Sequence, residues 1–531
     1  MSIPILGRLH ITDWPIIAIS FLLAWIEFII SIITNSLPSH VIDVFTVVTK
    51  FIYRFTRNPI NLIIRHKKDD IHQDEEKFTY SYINSDLPNL TRKQYQTMIE
   101  LLNADRIEQM VQLFGYDIES RIVKTKDDYL LTIHRIKGRD RPSNGKVIYL
   151  HHGLLMNCEI WCTMIEKYNN LPFLLYDLGY DVWMGNNRGS KYSQRHLFYK
   201  SNSVRFWDFS LDEFALFDIP NTIDYILKVS GAEKLTYIGF SQGSAQAFAS
   251  VSVNIDLNDK IDQLIAISPA TTPHGLYSKF LDILLKSSPN ITYLLFSRKV
   301  LMPSCLFWQK IMYPPLFDTM IDISNYLLFN WKAENIDKLQ KLSSYAHLYS
   351  TTSVKCAVHW FQVMSSKNFQ MYHDATTSLS GLNPISYPLK NIQIPIHLIY
   401  GTADSLVDIE VMKSQLPDKT TTVHPVPNYE HLDNLWGRDV HELVFKEVLR
   451  RLGENTDDLF YRLSLLENDR NPKLIEDIIV DVGEDEATLN QQSYLKMANN
   501  SNSNGLSPVS HVENLDYGTD RRSTVGTGIF T

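Results

Sequence analysis

Cysteine is scarce: Cys158, Cys162, Cys305 and Cys356 are the only four in 531 residues. That is too few for a disulfide-dense secreted scaffold, and without a CxxC pair there is no zinc-site spacing, so a reducing compartment fits best. Long basic blocks are also missing. The net charge is -8, and Lys and Arg gather into no long run outside the N-terminal region, which excludes a nucleic-acid partner as the expected one. Asn89, Asn290 and Asn499 stand in glycosylation-type sequons, which arise often by chance and mean nothing in cytosol. Hydrophobic residues, at 44% of the chain, are plentiful enough for a large core.

The apolar material begins early. Pro15 to Ile33, "PIIAISFLLAWIEFIISII", carries one charge, Glu27, over close to the roughly 20 residues a helix needs to cross a bilayer. No cleavage-type sequence comes after it, so the segment is expected to be retained as an anchor, whether spanning, hairpin or lying in the membrane plane. Residues 41–64 mix Val44, Phe45, Val47, Val48, Phe51 and Phe55 with Lys50, Arg54 and Arg57, the pattern of a basic amphipathic surface helix. Arg65, Lys67 and Lys68 would keep the body on the cytosolic side.

Past a polar linker at 71–94, the spacing predicts a helix near 91–113 and a β-hairpin turning at Asp127 and Asp128. Unbroken apolar runs succeed it at "KVIYL", "YDVWMG", "KLTYIGF", "LIAIS" and "IPIHLIYG", separated by helix-length segments. Strands apolar on both faces imply a mostly parallel sheet with helices on each side, an α/β class. About 125 residues separate Ser268 from Ile394, where earlier gaps are shorter. The insert, rich in leucine and aromatics, is expected to form a helical cap over the carboxyl edge of the sheet, where such sheets bind ligands, and an apolar cap implies an apolar substrate.

"YIGFSQGSAQAF" places Gly239, Ser241 and Gly243 between a buried strand and an alanine-rich helix. In an α/β hydrolase that is the context of a nucleophile: the serine sits on a tight turn, its oxygen projecting above the sheet. A serine hydroxyl needs an imidazole to take its proton and a carboxylate to orient that imidazole. The expected chain order, Ser then acid then His, selects Asp404, just past the strand ending at Gly401, and His431 on a late loop. Asp408 is the serious rival for the acid and Asp433 a lesser one; His424, in a predicted strand, and His441, in the terminal helix, are read as structural. The oxyanion donors are expected to be the amides of Gln242 and Leu154, the latter in the loop "HHGLL". His151 and His152 lack a third ligand at sensible spacing, so neither a metal nor a cofactor is expected. The domain reading is therefore an anchor at 1–70, an α/β-hydrolase core at 95–270 and 386–455, a helical cap at 271–385 and a polar, largely disordered tail at 456–531.

"FGYDIESRIVKTKDDYLLTIHRI", "HHGLL", "GYDVWMGNNRGSKYS", "GFSQGSAQAFAS", "YGTADSLVD" and "YEHLDNLWG" together resemble the acid lipase family of gastric and lysosomal lipases, from about residue 95 to 452. Within it the chain is most similar to the membrane-anchored steryl ester hydrolases of yeasts, including the "LGRLHITD" start at Leu6 to Asp13. The resemblance implies the triad Ser241, Asp404 and His431 with oxyanion amides at Leu154 and Gln242. It further implies cleavage of steryl esters, or other neutral lipids, at a lipid-droplet, endoplasmic-reticulum or plasma membrane surface. Triacylglycerol hydrolysis, acyl transfer and a non-catalytic membrane tether are the alternatives. Phe240 departs from the histidine that the secreted lipases carry there.

Overall fold

A computed structural model describes residues 14–36, 44–45, 47–49, 51, 91–138, 142–273, 277, 288–374 and 384–456. All the described residues lie in one compact unit, Met1–Leu459. The expected tail, the linker up to residue 90 and most of 41–64 lie outside the described residues.

Among the described residues, nine strands form one sheet. The hairpin pairs β1 (Asp117–Lys124) with β2 (Tyr129–Lys137) in antiparallel register, Asp117 opposite Lys137 and Lys124 opposite Leu130. Asp128 supplies the turn's left-handed residue at φ 69°, a conformation that aspartate tolerates better than most side chains. Then come β3 (Val147–His151), β4 (Asp181–Met184), the short β5 (Arg195–His196), β6 (Leu235–Phe240), β7 (Ile261–Ile267), β8 (Ile396–Gly401) and β9 (Thr421–Val426), in the spatial order β1-β2-β4-β3-β6-β7-β8-β9, with β5 beside β2. From β4 to β9 every neighbouring pair is parallel. Strands β3 and β6 are buried along their whole length, which explains why their sequences show no polar alternation.

The helices begin with α1 (Trp14–Ser36), α2 (Arg92–Leu102) and α3 (Ile107–Leu113). Where the sequence predicts one helix over 91–113, the chain instead breaks at Asn103, whose backbone N–H closes onto the Ile99 carbonyl. Asn103 and Asp105 both compete for backbone partners, so the sequence there suits a cap better than a helix interior. Around the sheet lie α4 (Leu171–Asp177), α5 (Ile219–Ser230) and α6 (Gln242–Val253). Between β7 and β8 run α7 (Pro289–Phe296), α8 (Cys305–Ile311), α9 (Pro314–Phe329), α10 (Lys338–Tyr345) and α11 (Val354–Ser366). After β8 comes α12 (Ile409–Gln415), and α13 (Lys446–Arg451) closes the described helices.

The apolar N-terminal segment is a helix, but among the described residues no helix is long and apolar enough to cross a membrane. The spanning form of the anchor is thus unsupported. Helix α1 is seated along one stripe, Ile17, Ser20 and Ala24 being buried, with Ala24 packed in a cluster with Ile291 and Leu295 of α7. Glu27, three residues further along that stripe, accepts from the Ser304 backbone N–H at 3.1 Å and from its hydroxyl at 2.5 Å. Helical periodicity brings positions 17, 20, 24 and 27 onto one face.

Arg188 is the main buried charge of the core. At 1% exposure it donates to Asp218 at 2.6 and 2.9 Å and to Asp127, and its guanidinium lies 4.0 Å from the centre of the Tyr129 ring. Burial raises the Asp218 carboxyl to about 6 even against the pull of Arg188. Arg188→Met strands that carboxylate, and should lower unfolding free energy by about 3 to 5 kcal/mol. Chemical denaturation measures it, and adding Asp218→Asn should restore part of the loss.

Candidate active site

Parallel strands end on one edge of the sheet, and the expected site residues lie just past four of those ends: Leu154 after β3, Ser241 after β6, Asp404 after β8 and His431 after β9. Ser241 is the single residue between β6 and α6, at φ 52° and ψ -121°. A non-glycine residue persists there only when its surroundings hold it. Its N–H donates to the Ile267 carbonyl at 3.0 Å, and its carbonyl accepts from Ser244 at 2.9 Å. Two glycines allow the close approach. A Cβ on Gly239 would lie 2.6 Å from the Ser244 nitrogen, and one on Gly243 would lie 2.5 Å from the His151 carbonyl oxygen. Both distances are too short for any side chain.

The structure brings the three expected side chains together. His431 Nε2 lies 2.8 Å from Ser241 Oγ, and His431 Nδ1 lies 2.6 Å from Asp404 Oδ2. Asp404 and His431 are 6% and 4% exposed. Asp404 Oδ1 accepts from the Leu406 amide at 3.0 Å, which fixes the carboxylate plane. Behind the imidazole, Ser268 donates to the His431 carbonyl at 2.8 Å while accepting from Asn434 Nδ2 at 2.9 Å. This arrangement keeps Nδ1–H on the carboxylate and leaves Nε2 to accept the serine proton.

The rivals have other work. Asp408 caps α12, accepting from the Val411 amide at 3.2 Å. Asp433 is buried and accepts from Asn335 Nδ2 and the Glu430 amide at 2.8 and 2.7 Å, so it shapes the histidine loop rather than touching the imidazole. His424 lies in β9 with Nδ1 3.8 Å from Glu447, and His441 opens the wide turn that precedes α13. His151 bonds Tyr149 and Asn187 through its two nitrogens, and His152 bonds the Gly153 carbonyl and the Asn187 amide. Burial holds them at about 4 and about 3, so both are neutral.

Gln242, the first residue of α6, presents its amide beside Ser241 at the positive end of the helix. The loop after β3 lies against the same serine, since a Cβ on Gly153 would be 3.1 Å from Ser241 Cβ, and Leu154 is the next residue along. These positions can flank a developing oxyanion.

Two aromatic rings enclose the imidazole. Phe240 lies 5.2 Å from it, tilted by 56°; Trp331, from the chain just past α9, stacks on it at 5.1 Å with planes 6° apart. The buried Trp331 Nε1 meets no acceptor among the described residues, so stacking and burial hold the ring. The neighbouring backbone is strapped down: the Glu430 carboxylate accepts from the Lys332 and Ala333 amides at 2.9 and 2.8 Å. Sequence reasoning missed Trp331, Glu430 and Ser268. Only the position of Glu430 next to His431 offered a signal.

Residues 146–438 match the family model described as alpha/beta hydrolase fold, and residues 107–165 match a partial alpha/beta-hydrolase lipase region. A probable lipase of Schizosaccharomyces pombe is 47% identical over 385 residues, covering 70% of this chain and 81% of the relative. Human gastric triacylglycerol lipase is 32% identical over 367 residues, covering 66% of this chain and 91% of its own. Asp404→Asn should lower kcat by about ten-thousand-fold with the fold intact. Asp408→Asn, which keeps a capping side chain, should leave kcat unchanged. Steady-state kinetics on a soluble ester, with circular dichroism as the folding control, checks both.

Proposed function

The chain belongs to the lipases of the alpha/beta-hydrolase fold and is a carboxylic ester hydrolase, and from that premise we propose that it cleaves steryl esters at a lipid-droplet or membrane surface through an acyl-serine. One observation carries the chemistry: His431 bridges Ser241 and Asp404 at 2.8 and 2.6 Å. Ser241 Oγ attacks the acyl carbonyl as His431 Nε2 takes its proton, and the amides of Leu154 and Gln242 receive the charge on the carbonyl oxygen. Collapse breaks the ester bond, and His431 passes the proton to the departing alcohol. Water, deprotonated by the same imidazole, then releases the fatty acid and restores Ser241.

The lipid surface is supported by what lies exposed. Trp14, Phe21, Leu22, Leu23, Trp25 and Phe28 of α1 face outward, as do Leu294, Met302, Ile323 and Leu327 of the cap. Large apolar side chains exposed in such number on one helix suit an interaction site, and an in-plane helix presents them to lipid. The steryl preference rests on the resemblance of the N-terminal "LGRLHITD" segment and of the core motifs to the yeast steryl ester hydrolases. The competing reading, triacylglycerol hydrolysis, takes its support from the gastric relative.

Released fatty acid from cholesteryl oleate against triolein separates the two, and Ser241→Ala should lower turnover of either by about ten-thousand-fold or more. Equal or greater activity on triolein would overturn the steryl assignment. Trp25→Glu with Phe28→Glu should reduce co-flotation with phospholipid-coated triolein droplets while leaving hydrolysis of a water-soluble ester unchanged.

A further inference from the structure

The side chain of Gln242 turns toward the cap rather than the solvent. It is 2% exposed, and its Oε1 accepts from Trp360 Nε1 of α11 at 2.7 Å and from Cys356 Sγ, one turn earlier on the same helix, at 3.4 Å. Both donors are buried. Burial pushes the Cys356 thiol up to about 12, so it remains a donor. Two hydrogen bonds to one carbonyl oxygen fix a side chain that would otherwise sample several rotamers, and through it the first turn of α6.

The loop on the other side of Ser241 meets the same stretch of cap. Leu155, next to Leu154, sits at φ 58°, and its carbonyl accepts from the Ser350 amide at 2.6 Å. A leucine keeps left-handed backbone only where neighbours enforce it. The segment making these contacts is itself tied to the core: Ser350 Oγ accepts from the Lys191 amide at 2.7 Å, Thr351 Oγ1 donates to the Gly189 carbonyl at 2.6 Å, and Ser353 caps α11 while bonding the Phe209 carbonyl. Residues 350–360 therefore reach both sides of the nucleophile from one stapled segment.

Resting on the ester-hydrolase reading above, we propose that this segment of the cap positions the oxyanion hole, with Trp360 aligning the Gln242 amide and the Ser350 amide aligning that of Leu154. Trp360 is a positioning residue: it acts through Gln242 and touches no reacting atom. On this assignment α11 stays in place while substrate enters, and any movement of the cap is confined to its other helices. Because a preset donor is most effective against charge that exists only in the transition state, its misalignment should show in kcat and spare KM.

The test uses the full chain and p-nitrophenyl butyrate, a soluble ester that removes lipid binding from the measurement. Active sites are counted by end-point labelling of Ser241 with a fluorophosphonate, so that kcat refers to folded molecules only. Trp360→Phe keeps an aromatic ring, though a smaller one, and deletes the N–H, and should lower kcat about tenfold with KM within about twofold. Gln242→Met deletes the acceptor from the other end and should cost the same. The double variant should be no slower than either single one, the signature of two groups acting through one bond. Wild-type kcat in Trp360→Phe, a loss confined to KM, or losses that multiply in the double variant would overturn the proposal while leaving the ester-hydrolase reading standing. A wild type that neither hydrolyses the ester nor takes the label would overturn both.

Discussion

The turn at Ser241 is the constraint on which the site depends. Strand β6 passes into α6 through this one residue, held at φ 52° and ψ -121°, a conformation that costs on the order of 1 to 3 kcal/mol. Only a well-buried strand and helix can impose it, and all of β6 and nearly all of α6 are buried. The hydroxyl is thereby lifted above the sheet edge, and the next amide, that of Gln242, is left at the head of a helix whose dipole favours negative charge. Next door, β7 is followed by a second serine at positive φ, Ser268 at φ 46°, and its buried hydroxyl donates to the His431 carbonyl. Adjacent strands thus end in two strained serines, one offering the nucleophilic oxygen and the other supporting the loop that brings the base.

Around this floor the cap acts as more than a cover. Trp331 lies parallel to the imidazole, while the Glu430 carboxylate binds the backbone just past that ring. Removing water from the face of His431 strengthens its hydrogen bonds to Asp404 and Ser241, because the competing solvent is gone and the local dielectric is low. The carboxyl of Glu430 is pushed above its ordinary range by burial, and the two amides it accepts offset that only in part. Histidine loop and cap are therefore joined by polar contacts that would be costly to leave unmade.

Much of this was legible in the sequence, for identifiable reasons. The parallel strands announced themselves as unbroken apolar runs because both faces of the sheet are covered. Ser241 was marked by its flanking glycines, and placement then favoured Asp404, just past a strand end, and His431, on a late loop, over His424 in a strand and His441 in a helix; Asp408 stayed a rival until the fold showed it capping α12. Periodicity could not see the break at Asn103, which is decided by capping over a few residues. Nor could it find Trp331 or Trp360. Each is one aromatic among many in the insert, and each matters through a partner about a hundred residues away: His431 for the first, Gln242 for the second. Such pairings arise only when the chain closes, so composition carries no trace of them.

Helix α1 shows the same limit with the opposite sign. Composition reads it as apolar enough for a bilayer, yet the fold uses its stripe at Ile17, Ser20 and Ala24 to sit on α7 and commits its one carboxylate, Glu27, to Ser304 at the head of α8. A half-buried carboxylate in so apolar a helix loses part of its hydration, and its two hydrogen bonds to Ser304 offset that loss. The outward faces keep their large side chains, each worth about 1.5 to 3 kcal/mol when fully removed from water. On the proposed reading, a handful of them half-buried in lipid would outweigh the loss of translational freedom on surface binding. Because Glu27 fixes the rotation of α1 about its own axis, those outward side chains and the exposed apolar residues of the cap are held in a constant relation to each other. On the proposed reading, lipid that takes up α1 also meets the cap in a set orientation, and any turn of the helix must first break the pair at Ser304.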